Sequence, residues 1–413
     1  MKKANMRTKK NKKTLVLSVL SFFIVLAMCT SVAAVSDYYS NKSVGLKVAA
    51  MPKDTVIDFD IPNKEPEFSE KAYTLLNDMT VEEKVYQMFM ITPEQLLSTS
   101  STVTSSGSSA KTAIETYPVG GVIYFGANIK NPTQCTDMIS NLQSYSKTPL
   151  FIAVDEEGGS VARIGNNENM GTTQFPNMGN IENADEAYNV GYTIGTEIKQ
   201  FGFNLDFAPV ADVDSNPNNT VIGNRAFSSD PNTAAEYVAA AVKGFNDAGM
   251  LCTLKHFPGH GDTDTDTHYG YAEVTKTLDE LKECELLPFQ SGVKAGADFV
   301  MLGHLAAPKI TGDTIPASLS KPLIDLLRNE VGFNGIVITD AMRMDAIVDD
   351  YYSDEAAILA VQAGVDIILM PNNFKKASTG VINAVNDGTI SEERINQSVL
   401  KILQKKIDSG IIK

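Results

Sequence analysis

From about residue 68 onward, short apolar or β-branched runs alternate with longer stretches of helical periodicity. Eight runs have strand character: Tyr86 to Ile91, Gly121 to Phe125, Leu150 to Val154, Asn204 to Ala208, Leu251 to His256, Phe299 to Leu302, Ile336 to Thr339 and Asp366 to Met370. Between them lie helix-like stretches such as Ala184 to Gln200, Thr233 to Ala248, Leu278 to Ala295 and Ser353 to Ala363. A last helix is predicted from Ser391, a good N-cap followed by Glu392 and Glu393 in the first turn. Eight repeats of strand then helix over roughly 300 residues predict an α/β fold of the (β/α)8 TIM-barrel type in a single domain, residues 68–413. An open doubly wound sheet is the lesser alternative. The serine and threonine tract Ser98 to Ser109 reads as a mobile loop after the first strand.

The N-terminus has a different pattern. Residues 1–13 carry seven basic residues and no acid, and an uncharged, mostly apolar run follows from Thr14 to Ser36. This is the layout of a secretory signal peptide or an uncleaved membrane anchor, which places the remainder outside the cytoplasm. Residues 37–67 are polar, proline-containing and aperiodic, as a tether would be.

Composition narrows the partners. With 43% apolar residues the chain can fill a large core, and its 35 basic against 50 acidic residues give a formal charge of −15. A nucleic-acid-binding surface is not expected on such a chain. Outside the apolar run, Cys135, Cys252 and Cys284 are odd in number and widely spaced, so they read as buried small hydrophobes rather than a disulfide framework.

The chemistry is concentrated where the apolar runs stop. Their ends read AVDEEGG (153–159), FAPVADVD (207–214), LKHFPGHG (254–261), MLGHL (301–305) and VITDAMRM (337–344). The C-terminal ends of barrel strands are where this architecture places catalytic groups. Three of the chain's four histidines fall in KHFPGHGDTDTDTHYG, residues 255–270. Zinc is a rival reading of His256, His260, Asp266 and His268, all competent ligands. Pro258 and Gly259 disfavour a helix that would present ligands four apart. DTDTD lacks the central glycine and closing glutamate of a calcium loop. No metal and no cofactor is therefore expected.

The run Lys255-His256-Phe257-Pro258-Gly259-His260-Gly261, four residues, then Asp266-Thr267-His268 resembles the signature of the β-N-acetylglucosaminidase branch of glycoside hydrolase family 3. The resemblance continues through MTVEEKVYQM (79–88), VDEEGGSVAR (154–163), IGNRAF (222–227), TDAMRM (339–344) and RINQSVLKIL (394–403), and so runs from about Asp78 to the C-terminus. It implies a (β/α)8 barrel in which Asp340 is the nucleophile, His268 the general acid/base and Asp266 its orienting partner. It implies that Asp155, Arg163, Arg225, Lys255 and His256 bind the sugar. Two positions depart from the family pattern: Glu156 stands for a common glutamine and Ser160 for an arginine. They bear on contacts beyond the terminal sugar.

Physical chemistry agrees with that assignment. Retaining glycoside hydrolysis needs a nucleophile on one face of the anomeric carbon and a proton donor near the leaving oxygen. A carboxylate ending a rigid strand suits the first task. Imidazole, with an ordinary pKa of about 6.5, suits the second without burial. Asp266, two residues before His268, falls on the same side of an extended loop and can hold its tautomer. His260 reads as a packing residue of the loop, Asp262 and Asp264 as solvated acids, and His304 as equally suited to lining the pocket or to a structural role. The chain has no tryptophan, which points away from long polysaccharide grooves and toward a polar pocket for one terminal residue. The expected activity is a retaining exo-β-N-acetylhexosaminidase acting on N-acetylglucosamine in cell-wall fragments, muropeptides or other glycoconjugates. A phosphorylase of the same branch, or a non-catalytic sugar-binding barrel, are the alternatives.

Overall fold

The computed structural model of the protein describes residues 67–263, 267, 270 and 272–413. The chain divides into residues 1–62 and a unit spanning 63–413, and every described residue lies in the second. The predicted signal or anchor, the tether up to residue 66, and the calls for Asp264, Asp266 and His268 lie outside the described residues. Among those described, no helix is long and apolar enough to cross a membrane.

Capping residues set most of the helix starts. The Thr80 hydroxyl accepts a hydrogen bond from the Glu83 amide while the Glu83 carboxylate accepts one from the Thr80 amide, a capping box that opens the helix Val81–Gln87. That helix absorbs Tyr86 and Gln87, so the first strand begins later than the apolar run implied. Asp230 caps Pro231–Ala248 through the Thr233 amide, with Pro231 in the first turn where its missing N–H costs nothing. The helix therefore starts two residues before Thr233. Ser391 caps the last helix, Glu392–Asp408, as predicted. The predicted helix from Leu278 to Ala295 is two, Leu278–Glu283 and Leu286–Lys294. Pro288 gives the reason: a continuous helix would drive its ring against the Cys284 carbonyl.

Eight strands form the sheet: β1 Phe89–Ile91, β2 Gly121–Ile123, β3 Phe151–Val154, β4 Leu205–Asp206, β5 Leu251–Phe257, β6 Phe299–Leu302, β7 Ile336–Thr339 and β8 Ile368–Leu369. Their order follows the sequence around the ring, every pairing is parallel, and β8 returns to β1. Between β7 and β8 the ring closes through a parallel bridge, Ile338 opposite Ile367, with the Thr339 amide donating to Ile367 O at 3.1 Å. The fold is the (β/α)8 barrel expected.

The barrel interior is packed. Phe151 and Phe299 meet edge to face at the N-terminal end of the strands. The last helix brings the fully buried Lys406 there, its ammonium 5.0 Å from the Phe151 ring and donating to Gln87 Oε1 at 2.9 Å. The opposite, C-terminal end is left for chemistry. Two sequence expectations change. The serine and threonine tract is pinned rather than mobile: Val103 is buried, its amide donates to Glu94 and its carbonyl accepts from Asn128, while Thr104 O accepts from Gln134. Asp262 is not simply solvated, because it pairs with Lys276 at 3.5 Å. Cys135 and Cys252 are buried and Cys284 half-buried, all as free thiols.

Candidate active site

Three strand ends and two short connecting elements converge on one cavity of about 330 Å³. Asp155 follows β3, Lys255 and His256 belong to β5, and Asp340 follows β7. Arg163 follows a two-stranded hairpin made by Glu156–Gly158 and Val161–Ala162, and Arg225 ends the short turn Gly223–Arg225. All six line the cavity, together with Glu157, Phe125, His260, Thr267 and Arg343. Thr267 is the described residue between Asp266 and His268.

The floor is an alternating set of charges. Lys255 Nζ lies 3.0 Å from Asp155 Oδ1 and 2.6 Å from Glu157 Oε1. Arg225 grips Glu157 with two parallel bonds, Nε to Oε2 at 2.9 Å and Nη2 to Oε1 at 2.8 Å, and its third nitrogen donates to Val221 O. Burial by itself would raise the Glu157 carboxyl, but the charges of Lys255 and Arg225 outweigh it and hold Glu157 well below the usual carboxylate range. Burial would likewise depress Lys255 and Arg225, yet the carboxylates beside them raise both. The three groups stay ionised. Such a floor offers fixed donors and acceptors to a polar ligand without reorganising.

Asp340 is fixed by its strand. Its amide donates to Leu302 O on β6, and Oδ1 accepts from the next amide, Ala341 N, at 2.7 Å. Burial would raise the Asp340 carboxyl, but the neighbouring His256 and His304, the Ala341 N–H and Lys255 pull it below its ordinary value. The result is an ionised carboxylate facing a cavity, the form a nucleophile requires.

The histidine segment is organised by Asp212, a residue the sequence reading passed over although FAPVADVD contains it. Its carboxylate accepts from the amides of His256 and His260 and from His256 Nδ1 at 2.8 Å. Burial is again outweighed, here by the histidine contacts, and the Asp212 carboxyl is lowered. His260 is buried, Nδ1 at 2.7 Å from Thr263 Oγ1 and Nε2 at 3.3 Å from Thr267 Oγ1. Burial and the nearby His256 lower its pKa, so it stays neutral. It packs the loop as expected, and also lines the cavity. Gly261 allows the loop to sit this close, since a Cβ there would fall 1.7 Å from Val213 O. His304 is buried, bonded to Ser318 Oγ and Ala341 O, and acts electrostatically on Asp340 without lining the cavity.

The two departures from the family pattern lie outside the cavity wall. Glu156 accepts the amides of Ile164 and Gly165 at 2.7 Å each, and burial pushes its carboxyl up to about 7 against those bonds. Ser160 is exposed on the hairpin turn. Of the two adjacent glutamates it is Glu157, unassigned by the sequence reading, that reaches the site.

The model of the glycosyl hydrolase family 3 N-terminal domain matches residues 80–405. The chain belongs to glycoside hydrolase family 3. Among family 3 relatives, β-hexosaminidase A of Pseudoalteromonas piscicida is 36% identical over 327 residues, covering 71% of this chain and 54% of its own length. A β-hexosaminidase of Stenotrophomonas maltophilia is 37% identical over 262 residues, 61% of this chain and 76% of that protein. The solved structure of a family 3 β-N-acetylglucosaminidase from Paenibacillus superposes with a TM-score of 0.76 at 36% identity, covering 81% of this chain and 64% of that one. The chain thus spans about half the length of the Pseudoalteromonas relative and about two thirds of the Paenibacillus one.

Proposed function

We propose that this family 3 barrel is a retaining exo-β-N-acetylhexosaminidase that releases terminal N-acetylglucosamine from cell-wall fragments or other glycoconjugates. The observation that carries the reading is the ionised Asp340 facing a cavity whose charged floor is closed by Asp155, Glu157, Lys255 and Arg225. At about 330 Å³ the cavity lies at the small end for ligand sites, the size for one terminal sugar. The β-hexosaminidase names of the relatives supply the sugar class.

In this reading Asp340 attacks the anomeric carbon while His268, oriented by Asp266, gives a proton to the departing oxygen. His268 then takes a proton from water, which attacks the same carbon and frees Asp340. The exported location inferred from residues 1–36 belongs to the same proposal.

Protonation of the leaving oxygen matters most when the leaving group is poor. His268→Ala should therefore lose on the order of a hundredfold or more in forming the intermediate from a natural disaccharide, and much less with an activated aryl N-acetylglucosaminide. With the activated substrate it should accumulate sugar on Asp340, visible by mass spectrometry of quenched enzyme, while Asp340→Ala shows neither burst nor adduct. Equal losses on both substrates with no adduct would mean that the acid/base is elsewhere. Running the wild type with and without inorganic phosphate identifies the acceptor: N-acetylglucosamine 1-phosphate as product would replace hydrolysis by phosphorolysis.

A further inference from the structure

A polar cavity of about 510 Å³ lies at the other end of the barrel and shares no residue with the active-site cavity. Its walls are the helices Lys321–Asn329 and Glu392–Asp408, the C-terminal end of the helix Ser353–Ala363, and Phe68 with Tyr73 at the helix Glu70–Asn77. Arg328 fixes its place in the fold. The guanidinium donates to Phe333 O and Gly335 O just ahead of β7, while Asp340 stands past the far end of that strand.

The cavity gathers more positive charge than the protein neutralises. Behind its wall lies one fully buried carboxylate, Asp366, which burial would raise but which Lys401, Arg328 and Arg394 together lower. Asp366 is already committed: Ser398 Oγ at 2.6 Å, Val337 N at 3.0 Å and Arg328 Nη2 at 3.1 Å leave Lys401 no nearer than 3.4 Å. Burial, with Arg328 and Arg394 alongside, pulls the Lys401 ammonium below its ordinary value although Asp366 opposes it. Burial and Arg328 do the same to Arg394, again against Asp366. At the mouth, Lys321 pairs with Asp325 at 2.7 Å, and Glu393 is exposed. Of the carboxylates at the ends of the same helices, Glu330 and Glu392 are paired with Lys282 and Lys84, and Asp408 accepts from Gln404. Four lining cations against Asp325, Glu393 and Asp366 leave one positive charge in all, and the interior, with three cations on Asp366, holds two.

Donors are spare as well as charge. A guanidinium has five N–H donors. Arg394 uses three, on Val361 O, Val365 O and Ser398 Oγ, and Arg328 uses three, on Phe333 O, Gly335 O and Asp366. We infer that this cavity binds a phosphoryl group, as free phosphate or as a small phosphate monoester. A tetrahedral oxyanion offers oxygens to three cations at once, whereas a carboxylate is satisfied by a single guanidinium fork. Its charge of about two near neutral pH matches the interior. Phe68 and Tyr73 meet edge to face at 6.2 Å, with Tyr73 46% exposed, and give the organic part of an ester an aromatic wall to rest on.

The test is calorimetric titration of the full chain, at constant ionic strength, with inorganic phosphate and with phenyl phosphate. Both should bind saturably. Tighter binding of phenyl phosphate identifies an ester as the occupant, and equal or weaker binding the free anion. Gln397 is exposed, lines the cavity and makes no hydrogen bond among the described residues, so Gln397→Glu adds a negative charge without removing a contact. It should weaken both ligands about tenfold, and Lys401→Gln should do so by a similar factor. Acetate should compete about tenfold less well than phosphate, and equal competition would overturn the choice of a phosphoryl group. A Gln397→Glu protein with unchanged melting temperature and wild-type affinity would place the phosphate elsewhere, the active-site cavity included, and overturn the inference. So would a wild type that binds neither compound saturably. Neither result bears on Asp340 or on the hydrolase reading.

Discussion

Replacing Glu157 by glutamine keeps the shape of the side chain and removes its charge. The residue is only 4% exposed and accepts three short contacts: two from Arg225 at 2.9 and 2.8 Å and one from Lys255 at 2.6 Å. Lys255 would keep Asp155, but Arg225 would keep Val221 O and at most one bond to the amide oxygen, with no counter-charge. Breaking a buried ion pair by neutralising one partner typically costs about 3–5 kcal/mol, because the other charge stays buried. At about 2 °C per kcal/mol for a large domain, the melting temperature of Glu157→Gln should fall by roughly 6–10 °C at pH 7. The pH dependence gives the sign. Glu157 is depressed in the folded state, so its contribution is complete above the unfolded glutamate value of about 4.3 and is lost as pH falls through the folded value. The gap between wild type and variant should therefore narrow by about 1.4 kcal/mol per pH unit below roughly pH 4. Urea unfolding from pH 7 down to pH 3 measures it. A variant within about 1 kcal/mol of wild type at pH 7, or a gap that does not narrow in acid, would refute the view that Glu157 holds the floor together as an ionised group.

Lys406 is the opposite case: burial pulls its ammonium down to about 7, so between about pH 7 and 10 the unfolded chain binds more protons and stability rises with pH. Lys406→Met should stabilise the barrel by about 1–4 kcal/mol at pH 7, with the gain fading toward pH 10, and a destabilised variant in a denaturant titration would contradict this. Prolonged treatment with a chelator should leave glycosidase activity unchanged, since the proposed steps use a carboxylate and protons; activity lost and then restored by zinc would reinstate the metal reading of the histidine segment. Protease added to intact cells should reach the barrel, because the basic N-terminus is expected to stay cytoplasmic while the rest is exported; a protected, cytosolic protein would refute the export proposal.

What the sequence determined by itself is whatever depends on local order. Period and capping are short-range, so the eight strands, the parallel barrel and the start of the last helix at Ser391 could be read along the chain. The placing of Asp155, Lys255, His256 and Asp340 at strand ends was legible for the same reason: in a barrel the end of every strand faces the same rim. Boundaries failed where a cap or a proline acted, at Tyr86, Pro231 and Pro288. The tertiary structure alone decided which of two adjacent glutamates serves the site. In Asp155-Glu156-Glu157 two adjacent residues are of one type, and the hairpin turns Glu156 onto the amides of Ile164 and Gly165 just beyond it and Glu157 onto Lys255 and Arg225. Asp212 could not be singled out, because its role is to gather amides from a different strand's loop. Lys406 sits where a cation favours a helix C-terminus, yet the helix carries it across the base of the barrel into contact with Phe151 and Gln87. Phe125 and Arg343 belong to loops three strands apart in the ring, and only closure of the sheet brings them together. The common reason is that local propensity sets each element, while the partners of a buried charge are chosen by packing between elements distant in sequence.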